Sequence, residues 1–357
     1  MRNESIISAI GRDVLAPLLS VWAEAAIDWL RTNSDVHAVA LWRDGALAET
    51  ALQKLAPDLT PRLGHAWIGR RQAAIAAIAD ADDHENLENF LIRMRHAPAR
   101  WDEAASDLGL ASHGADNPPL TGTVLARFRH WLTQPDRAHF LRQHTAEMRR
   151  RLLAHLDRQA PPQAPLLLLD VGYAATVQRC LKRIHALAER PRPLHGLYLL
   201  TSPGATWAEP GPGLVRAVLA QYGQPPALAT ALLRHRDVLE CLLGTDRGEL
   251  SHYDDLGQPF SSASPLAPDQ HRQSAEIQQA ALAMLGPSHT LAQAGAALMR
   301  FLLKPSLAEA SLVGTWQHAD STALEGLRRL DDGPPDGDRS QTLWPAAARL
   351  RTESRSR

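Results

Sequence analysis

Cysteine is scarce in this chain, and its scarcity excludes two classes of protein. Two cysteines occur among 357 residues. A disulfide-stapled secreted domain needs several cysteine pairs, and a cysteine-rich zinc site needs three or four thiolates. The fold must therefore depend on an apolar core, for which 45% hydrophobic and 22% charged residues is a typical composition.

The sequence also has no excess charge of either sign and no long apolar run. Its formal net charge of −1 gives no general electrostatic attraction to nucleic acid or to an anionic membrane. Glu4, Arg12, Asp13, Glu24 and Asp28 interrupt the N-terminal segment, so no charge-free stretch approaches the roughly 20 residues of a membrane span, and no signal-peptide core is visible. We expect a soluble, cytoplasmic protein with no nucleic-acid partner and no membrane insertion.

The motifs of several common enzyme classes are missing as well. There is no Gly-x-Ser-x-Gly elbow, no phosphate loop ending in Gly-Lys-Ser/Thr and no Gly-x-Gly-x-x-Gly. No His-x-x-x-His pair has a third ligand in reach, and the mixed His/Asp segments 80–86 and 251–255 are interpreted as solvated loops. The sequence therefore assigns no metal ligand.

Alternating strand-like and helix-like segments are what the sequence does contain. "VHAVALWRDG" and "HAWIGRR" each precede a helical pattern, and "APLLLLDVG", a helix and "PRPLHGLYLLTSP" come further along the chain. Such alternation predicts an α/β fold with a Rossmann-like, phosphoribosyltransferase-like parallel sheet. We expect a helical lead-in at 1–34, a sheet domain at 35–204 with a helical insertion at about 86–157, a helical C-terminal lobe at 205–330 and a disordered tail at 331–357.

Three predicted strand-to-helix turns carry the candidate site. They are Trp42-Arg43-Asp44-Gly45, Gly69-Arg70-Arg71 and the stretch from Asp170 to Gln178. Ligands of open parallel sheets bind beyond the carboxyl ends of the strands, where such turns meet. Arginine forks and helix N-termini at this edge favour a phosphate or sugar phosphate.

Each group in these turns has a candidate role. Arg43, Arg70 and Arg71 would hold phosphate oxygens, while Asp44 and Asp170 would orient hydroxyls or a metal-bound phosphate, either serving as base. Two alternatives stay open on the sequence. Arg70 and Arg71 could be a solvated pair at the start of a surface helix, and Asp170 could be a helix cap. Trp42, next to the charged turn, could form the wall of a sugar or base site.

Two known families have motifs similar to those of this chain. "LLLLDVGYAATVQRCL" followed by "LHGLYLLTSP" resembles the strand, acidic turn and helix of type I phosphoribosyltransferases, although Leu169 stands where that family has a second acid. A longer resemblance, over roughly residues 5–260, is to the region downstream of the hydrolase domain in bacterial HAD-like proteins encoded among surface-polysaccharide genes. The matching positions are Arg43, Asp44, Gly45, Arg70, Arg71, Asp170, Gly172, Tyr173, Thr176, Gln178 and Glu240.

These resemblances imply a function that the residues alone do not. They imply a protein that binds a sugar phosphate or nucleotide sugar, as an enzyme or enzyme subunit of surface-polysaccharide biosynthesis with a partner glycan-synthesis enzyme. If catalytic, it would be transferase-like, and the cofactor is left open, with Mg²⁺ as the candidate. HAD phosphatase activity is not expected, since the Asp-x-Asp of that chemistry is missing. The alternative is a degenerate, non-catalytic binding or scaffold module.

Overall fold

A computed structural model gives the architecture of most of the chain. It describes residues 5–93, 98–111, 117–208, 213–286, 289–319, 327–332 and 342–355, without the side chains of Arg43 and Arg93. Within these ranges the chain is an α/β protein built on a five-stranded, fully parallel sheet. The general α/β prediction is therefore confirmed.

The sheet has the strand order β2-β1-β3-β4-β5. Its strands are β1 (His37–Leu41), β2 (Leu63–Ala66), β3 (Leu166–Asp170), β4 (Leu194–Leu200) and β5 (Val215–Ala220). Since β2 lies on one side of β1 and β3 on the other, the direction of winding reverses between β1 and β3. A crevice opens at the carboxyl ends of the strands at such a reversal.

Helices cover both faces of the sheet. They are α1 (Ile6–Ile10), α2 (Ala16–Thr32), α3 (Trp42–Leu55), α4 (Arg70–Ala77), α5 (His84–Glu88), α6 (Trp101–Asp107), α7 (Gly122–Leu132), α8 (Pro135–Gln159), α9 (Thr176–Leu187), α10 (Pro226–Arg234), α11 (Arg236–Leu243), α12 (Pro268–Ala283), α13 (Leu291–Leu303), α14 (Leu307–Val313) and α15 (Pro345–Arg355). Helices α2, α3 and α10–α14 share one apolar core, and α4 and α6–α9 share another.

Strand β3 is the centre of the molecule because both of its faces are buried. Leu167 and Leu169 pack into the core with α2 and α3, whereas Leu166 and Leu168 pack into the core with α8 and α9. A strand covered on both faces has no reason to alternate polar and apolar residues. The four consecutive leucines are explained by that position.

The segment after Pro203 corrects one prediction. The sequence predicts a helix for "GPGLVRAVLAQYG", but Val215–Ala220 forms the fifth strand, paired with β4 from Gly196 onward. The apolar spacing of this short stretch fits a helix as well as a strand, and the open edge of β4 decides between them. Further strands lie in the region expected to be helical: β6 (Arg247–Tyr253) pairs with β7 (Pro259–Ala263), and β8 (Gln317–Ala319) with β9 (Leu327–Arg329).

The expected disordered tail is also corrected in part. Trp344 is fully buried, its ring lies 4.9 Å from that of Phe301, and its indole N–H donates to the Leu302 carbonyl at 2.8 Å. Helix α15 begins at Pro345 and packs on α14. Composition alone predicts disorder here because it does not register one large anchoring side chain. Residues 333–341 and 356–357 of the expected tail lie outside the described residues.

The N-terminal helical run bears on the expectation about membranes. Ile6–Thr32, which includes a π-helical turn at Gly11–Leu15, is one helix that is long and apolar enough to cross a membrane by length and composition. In this structure 67% of its apolar window is buried inside the protein. Core helices of soluble proteins and N-terminal signal sequences both have this character, so the helix is weak support for either location.

Candidate functional site

A cleft of about 1460 Å³ lies at the carboxyl edge of the sheet, where β1, β2 and β3 end. All three predicted turns contribute to it. The predicted residues that line it are Trp42, Asp44, Arg70, Arg71, Asp170, Gly172, Tyr173, Thr176 and Glu240. The strand-end argument therefore placed the centre of the cleft correctly, and the winding reversal between β1 and β3 explains why it lies there.

The first turn is a helix start rather than a loop. Helix α3 begins at Trp42, directly after β1, so Asp44 lies in its first turn, where a negative charge is favoured by the helix dipole. Gly45 allows this helix to approach the sheet, because a Cβ there would lie 2.6 Å from the Leu169 carbonyl oxygen. Gly45 is thus a packing residue that brings Asp44 close to Asp170, and it does not line the cleft itself.

Asp170 is the last residue of β3 and an acid whose pKa is strongly shifted. Burial raises the pKa of its carboxyl group to about 8, and the nearby Asp44 and Glu240 carboxylates contribute to that rise, while Arg70 acts in the opposite direction. Its Oδ1 accepts a hydrogen bond from the Val171 N–H at 2.9 Å. It does not cap α9, whose N-cap is Ala175, so the helix-cap alternative is excluded.

The arginines of the second turn separate into two kinds. Arg71 lines the cleft and forms an ion pair with Asp107, so its guanidinium is engaged within the protein. Arg70 opens helix α4, is exposed and lines the cleft. Among the described residues none forms a hydrogen bond or ion pair with Arg70. The same holds for Arg179 of α9, which lines the cleft beside it.

The third turn presents the start of α9 to the cleft. Gly172 has φ +140°, a conformation that favours glycine, and a Cβ there would collide with the Leu200 carbonyl oxygen. Ala175 is left-handed at φ 52°, and α9 then begins at Thr176 with no acidic residue in its first turn and no side-chain cap. Thr176 lines the cleft next to these amide groups. The positive end of α9 is therefore available to an anion.

A polar cluster forms the opposite wall. The Tyr173 hydroxyl lies 3.3 Å from Glu240 Oε1, and His318 Nε2 lies 2.9 Å from Glu240 Oε2. The other ring nitrogen of His318 lies 3.7 Å from Asp237 Oδ1. Burial raises the pKa of the Tyr173 hydroxyl well above its ordinary value, and the carboxylates of Glu240, Asp44 and Asp237 add to that shift. Tyr173 is therefore a neutral hydrogen-bond donor.

Aromatic side chains close one end of the cleft. The rings of Trp42 and Trp67 meet edge to face with centroids 5.1 Å apart, and the Arg247 guanidinium lies 4.3 Å from the centroid of Trp67. His65 Nε2 lies 2.7 Å from the Trp42 carbonyl oxygen and fixes the start of α3. Trp42 borders the cleft as predicted, and its partly buried ring gives a flat apolar surface there.

Gln178 does not line the cleft, in contrast to the prediction. Gln178 is fully buried: its amide N–H groups donate to the carbonyls of Leu194 and Leu214, and its Oε1 accepts from the Tyr198 hydroxyl. Its amide holds β4 and the approach to β5, so the prediction that it binds a ligand is corrected. The side chain of Arg43 lies outside the described residues.

Asp237, Arg179 and His318 are among the cleft residues that the sequence-based prediction lacks. Asp237 stands three residues before Glu240 on α11, a spacing that puts both carboxylates on one helix face and could have been noticed. Arg179 belongs to the amphipathic helix α9, where an arginine looks like part of the solvated surface. His318 gave no sequence signal, since it sits in a three-residue strand 78 residues away from Glu240.

The fold and the cleft together define a class: an α/β protein whose winding reversal carries arginines and a helix N-terminus on one side and carboxylates on the other. No protein-family model matches the chain, and no curated protein matches it significantly. The function has to be inferred from the geometry of the cleft.

Proposed function

We propose that the protein binds a phosphorylated sugar or a nucleotide sugar in this cleft and acts on it as an enzyme or enzyme subunit. One observation carries the proposal. Arg70, which forms no hydrogen bond or ion pair with another described residue, faces the same cleft as the carboxylates of Asp44 and Asp170. A ligand that complements both must have an anionic end and hydroxyl groups.

The anionic end fits the Arg70 side of the cleft. A guanidinium binds phosphate oxygens in pairs, with hydrogen bonds roughly twice as strong as neutral ones. Arg179 and the uncapped start of α9 at Thr176 add a second cation and backbone donors. Arg70 follows β2, whereas Arg179 and the start of α9 follow β3, so two separate segments contribute to this side of the cleft.

The sugar end fits the carboxylate side. Carboxylates accept hydrogen bonds from hydroxyl groups, and Trp42 offers an apolar face for a pyranose ring or a base. A carboxyl group with a pKa of about 8 exchanges protons close to neutral pH, which suits Asp170 to general acid–base chemistry. In a transfer reaction, Asp170 as base would take the proton of the attacking hydroxyl while the phosphate leaves toward Arg70.

A non-catalytic binding module is the second candidate, and one observation favours it. Leu169, which stands where phosphoribosyltransferases have a second acid, is 1% exposed and packs into the apolar core. That part of the family chemistry therefore has no counterpart here. The Rossmann-like subtype of the fold, the cytoplasmic location, the surface-polysaccharide setting and the partner glycan-synthesis enzyme are proposals that rest on the sequence and on the resemblance of motifs.

The test is a calorimetric titration of the protein with inorganic phosphate, a hexose 1-phosphate, phosphoribosyl pyrophosphate and a uridine diphosphate sugar. We expect at least one phosphorylated sugar to bind more tightly than inorganic phosphate, since it alone fills both sides of the cleft. Turnover that Asp170→Asn abolishes while binding persists would support the enzyme over the binding module. If none of the probes binds or raises the melting temperature at millimolar concentration, the proposal is wrong.

A further inference from the structure

The wall opposite Arg70 contains a donor set that the proposed phosphate site does not use. Asp237, Glu240 and His318 each offer one ligand atom, and these atoms all lie within 4.8 Å of one another. Ligand atoms around a metal ion at bond lengths of about 2.1 Å lie roughly 3–4 Å apart. The three side chains would have to draw closer together than this spacing to meet a common ion.

The chain holds these donors in place from two separate elements. Asp237 and Glu240 share one face of α11, and His318 is the central residue of β8. The backbone of the neighbouring Gln317 is fixed by the side-chain amide of Gln270. The Gln317 N–H donates to Gln270 Oε1, and the Gln317 carbonyl accepts from Gln270 Nε2, each at 2.8 Å. Rigid support of this kind is what a metal site requires of its ligands.

There is also room for an ion at this wall. A recess of about 40 Å³ beside the main cleft is lined by Glu240 and His318, together with Asp44. A space of that size holds one or two small species. Asp237 lines the main cleft rather than this recess, and Glu240 and His318 line both, so an ion held by all three would be accessible from the substrate side.

The charges around the recess favour a cation. The side chains of Asp237, Glu240 and His318 are 12%, 20% and 11% exposed, so their charges are only partly screened by water. Arg236 is a neighbouring cation, with its Nε 3.7 Å from Asp237 Oδ1. A divalent ion would balance the charges of both carboxylates.

We propose that Asp237, Glu240 and His318 bind a single divalent transition-metal ion. One imidazole nitrogen with two carboxylate oxygens suits Mn²⁺ or Zn²⁺ better than the all-oxygen ions Ca²⁺ and Mg²⁺. The three protein ligands leave coordination positions open toward the cleft, as in catalytic rather than structural metal sites. The proposal does not depend on the nature of the ligand at Arg70.

The experiment is a titration of the full-length chain, dialysed against a chelator, with MnCl₂ and ZnCl₂. We expect one equivalent to bind, and pulsed electron paramagnetic resonance of the Mn²⁺ form should detect one coordinated histidine nitrogen. His318→Gln should lose that nitrogen signal and bind at least tenfold more weakly. Glu240→Gln should weaken binding and keep the nitrogen signal.

His252→Ala, a change to an exposed histidine on β6, is the matched control and should titrate like the wild type. Circular dichroism checks that each variant is folded. If His318→Gln does not fold, the nitrogen signal of the wild type and the metal affinity of Glu240→Gln still test the metal site. Absence of metal binding, or a nitrogen signal that survives in His318→Gln, would overturn the metal site. Phosphate-ester binding is measured without metal, so its failure is distinguishable from failure of this site.

Discussion

The two ends of the same parallel sheet use arginine in opposite ways. At the amino end, Arg62 donates to the carbonyls of Leu30, Asn33 and Val36, and Arg192 donates to those of Pro161 and Ala164. At the carboxyl end, Arg70 and Arg179 have no comparable partner among the described residues. Arg62 and Arg192 satisfy carbonyls of the protein's own loops, while Arg70 and Arg179 are available to a ligand.

The acidic residues at the two edges of the sheet differ in the same way. Asp157, near the amino end, pairs with Arg190 at 2.8 Å. Asp170, at the carboxyl end, is held near other carboxylates, and its pKa rises to about 8 because of burial and those neighbours. Unfavourable electrostatics concentrated at one edge is common at functional sites. The difference predicts that changes at the amino edge cost stability and that changes at the carboxyl edge cost binding.

The largest effect is expected for Arg192→Met at the amino edge. Arg192 is 2% exposed, and methionine cannot replace the hydrogen bonds that its guanidinium donates to the carbonyls of Pro161 and Ala164. We expect the free energy of unfolding in urea to fall by about 3 kcal/mol. Arg190→Met removes a neighbouring surface ion pair and should cost less than about 1 kcal/mol. Equal losses for the two variants would show that the buried amino-edge arginine has no special structural role.

A second prediction concerns Gln178, which the structure moves from the ligand site to the interior. Gln178→Leu leaves the Tyr198 hydroxyl and the Leu194 carbonyl without their partner, and we expect a loss of about 2 kcal/mol in unfolding free energy with unchanged ligand affinity. Thr176→Val, at the cleft end of the same helix, should show weaker binding and almost unchanged stability. A loss of affinity in Gln178→Leu with full stability would restore its predicted role.

At the carboxyl edge, Arg70→Ala should weaken ligand binding and leave stability almost unchanged, whereas Arg192→Met lowers stability. No partner among the described residues is lost, so we expect the unfolding free energy to change by less than about 0.5 kcal/mol. Affinity for the tightest phosphorylated probe should fall about tenfold, as expected for loss of a charge-assisted hydrogen bond, and calorimetry measures both the fall and its enthalpy. Arg216→Ala, an exposed change on β5, is the control. A large loss of stability in Arg70→Ala would contradict the division between the edges.

A further expected effect is a pH dependence of stability that belongs to Asp170. Its folded-state pKa of about 8 lies above the ordinary value of 3.8, so the folded state keeps a proton that the unfolded state releases. This contribution to stability is fully present below about pH 4 and is lost as the pH rises to about 8. Between pH 5 and pH 8 the free energy of unfolding in urea should fall less in Asp170→Asn than in the wild type, by about 1 kcal/mol or more. The exposed Asp269→Asn should leave the decline unchanged.

How much of this could be predicted from the sequence depends on how local each feature is. The leucine run at 166–169 and the apolar run at 37–41 identify central strands without help from distant residues. The cleft positions of Asp44, Arg70 and Asp170 are predictable because each comes at or just after the end of a strand of one parallel sheet. The strand Val215–Ala220 was missed because its identity depends on pairing with β4, which local spacing does not reveal.

The remaining errors have similar causes. Gln178 looks like a ligand-binding amide, and only the tertiary structure shows that it donates to the carbonyls of Leu194 and Leu214. The proposed metal donors Asp237 and His318 come from elements with no common motif. Their meeting depends on how β8 docks on α11, a contact that the short strand by itself does not encode.

Hydrogen exchange with and without a saturating phosphorylated sugar reports on both edges of the sheet at once, and so decides whether ligand binding belongs to the carboxyl edge. We expect slower exchange of the backbone amides at 42–45, 70–73 and 171–176, together with unchanged exchange in the amino-edge loops at 33–36 and 161–165. Protection confined to the amino-edge loops, or to segments outside the cleft, would contradict a ligand site at the carboxyl edge.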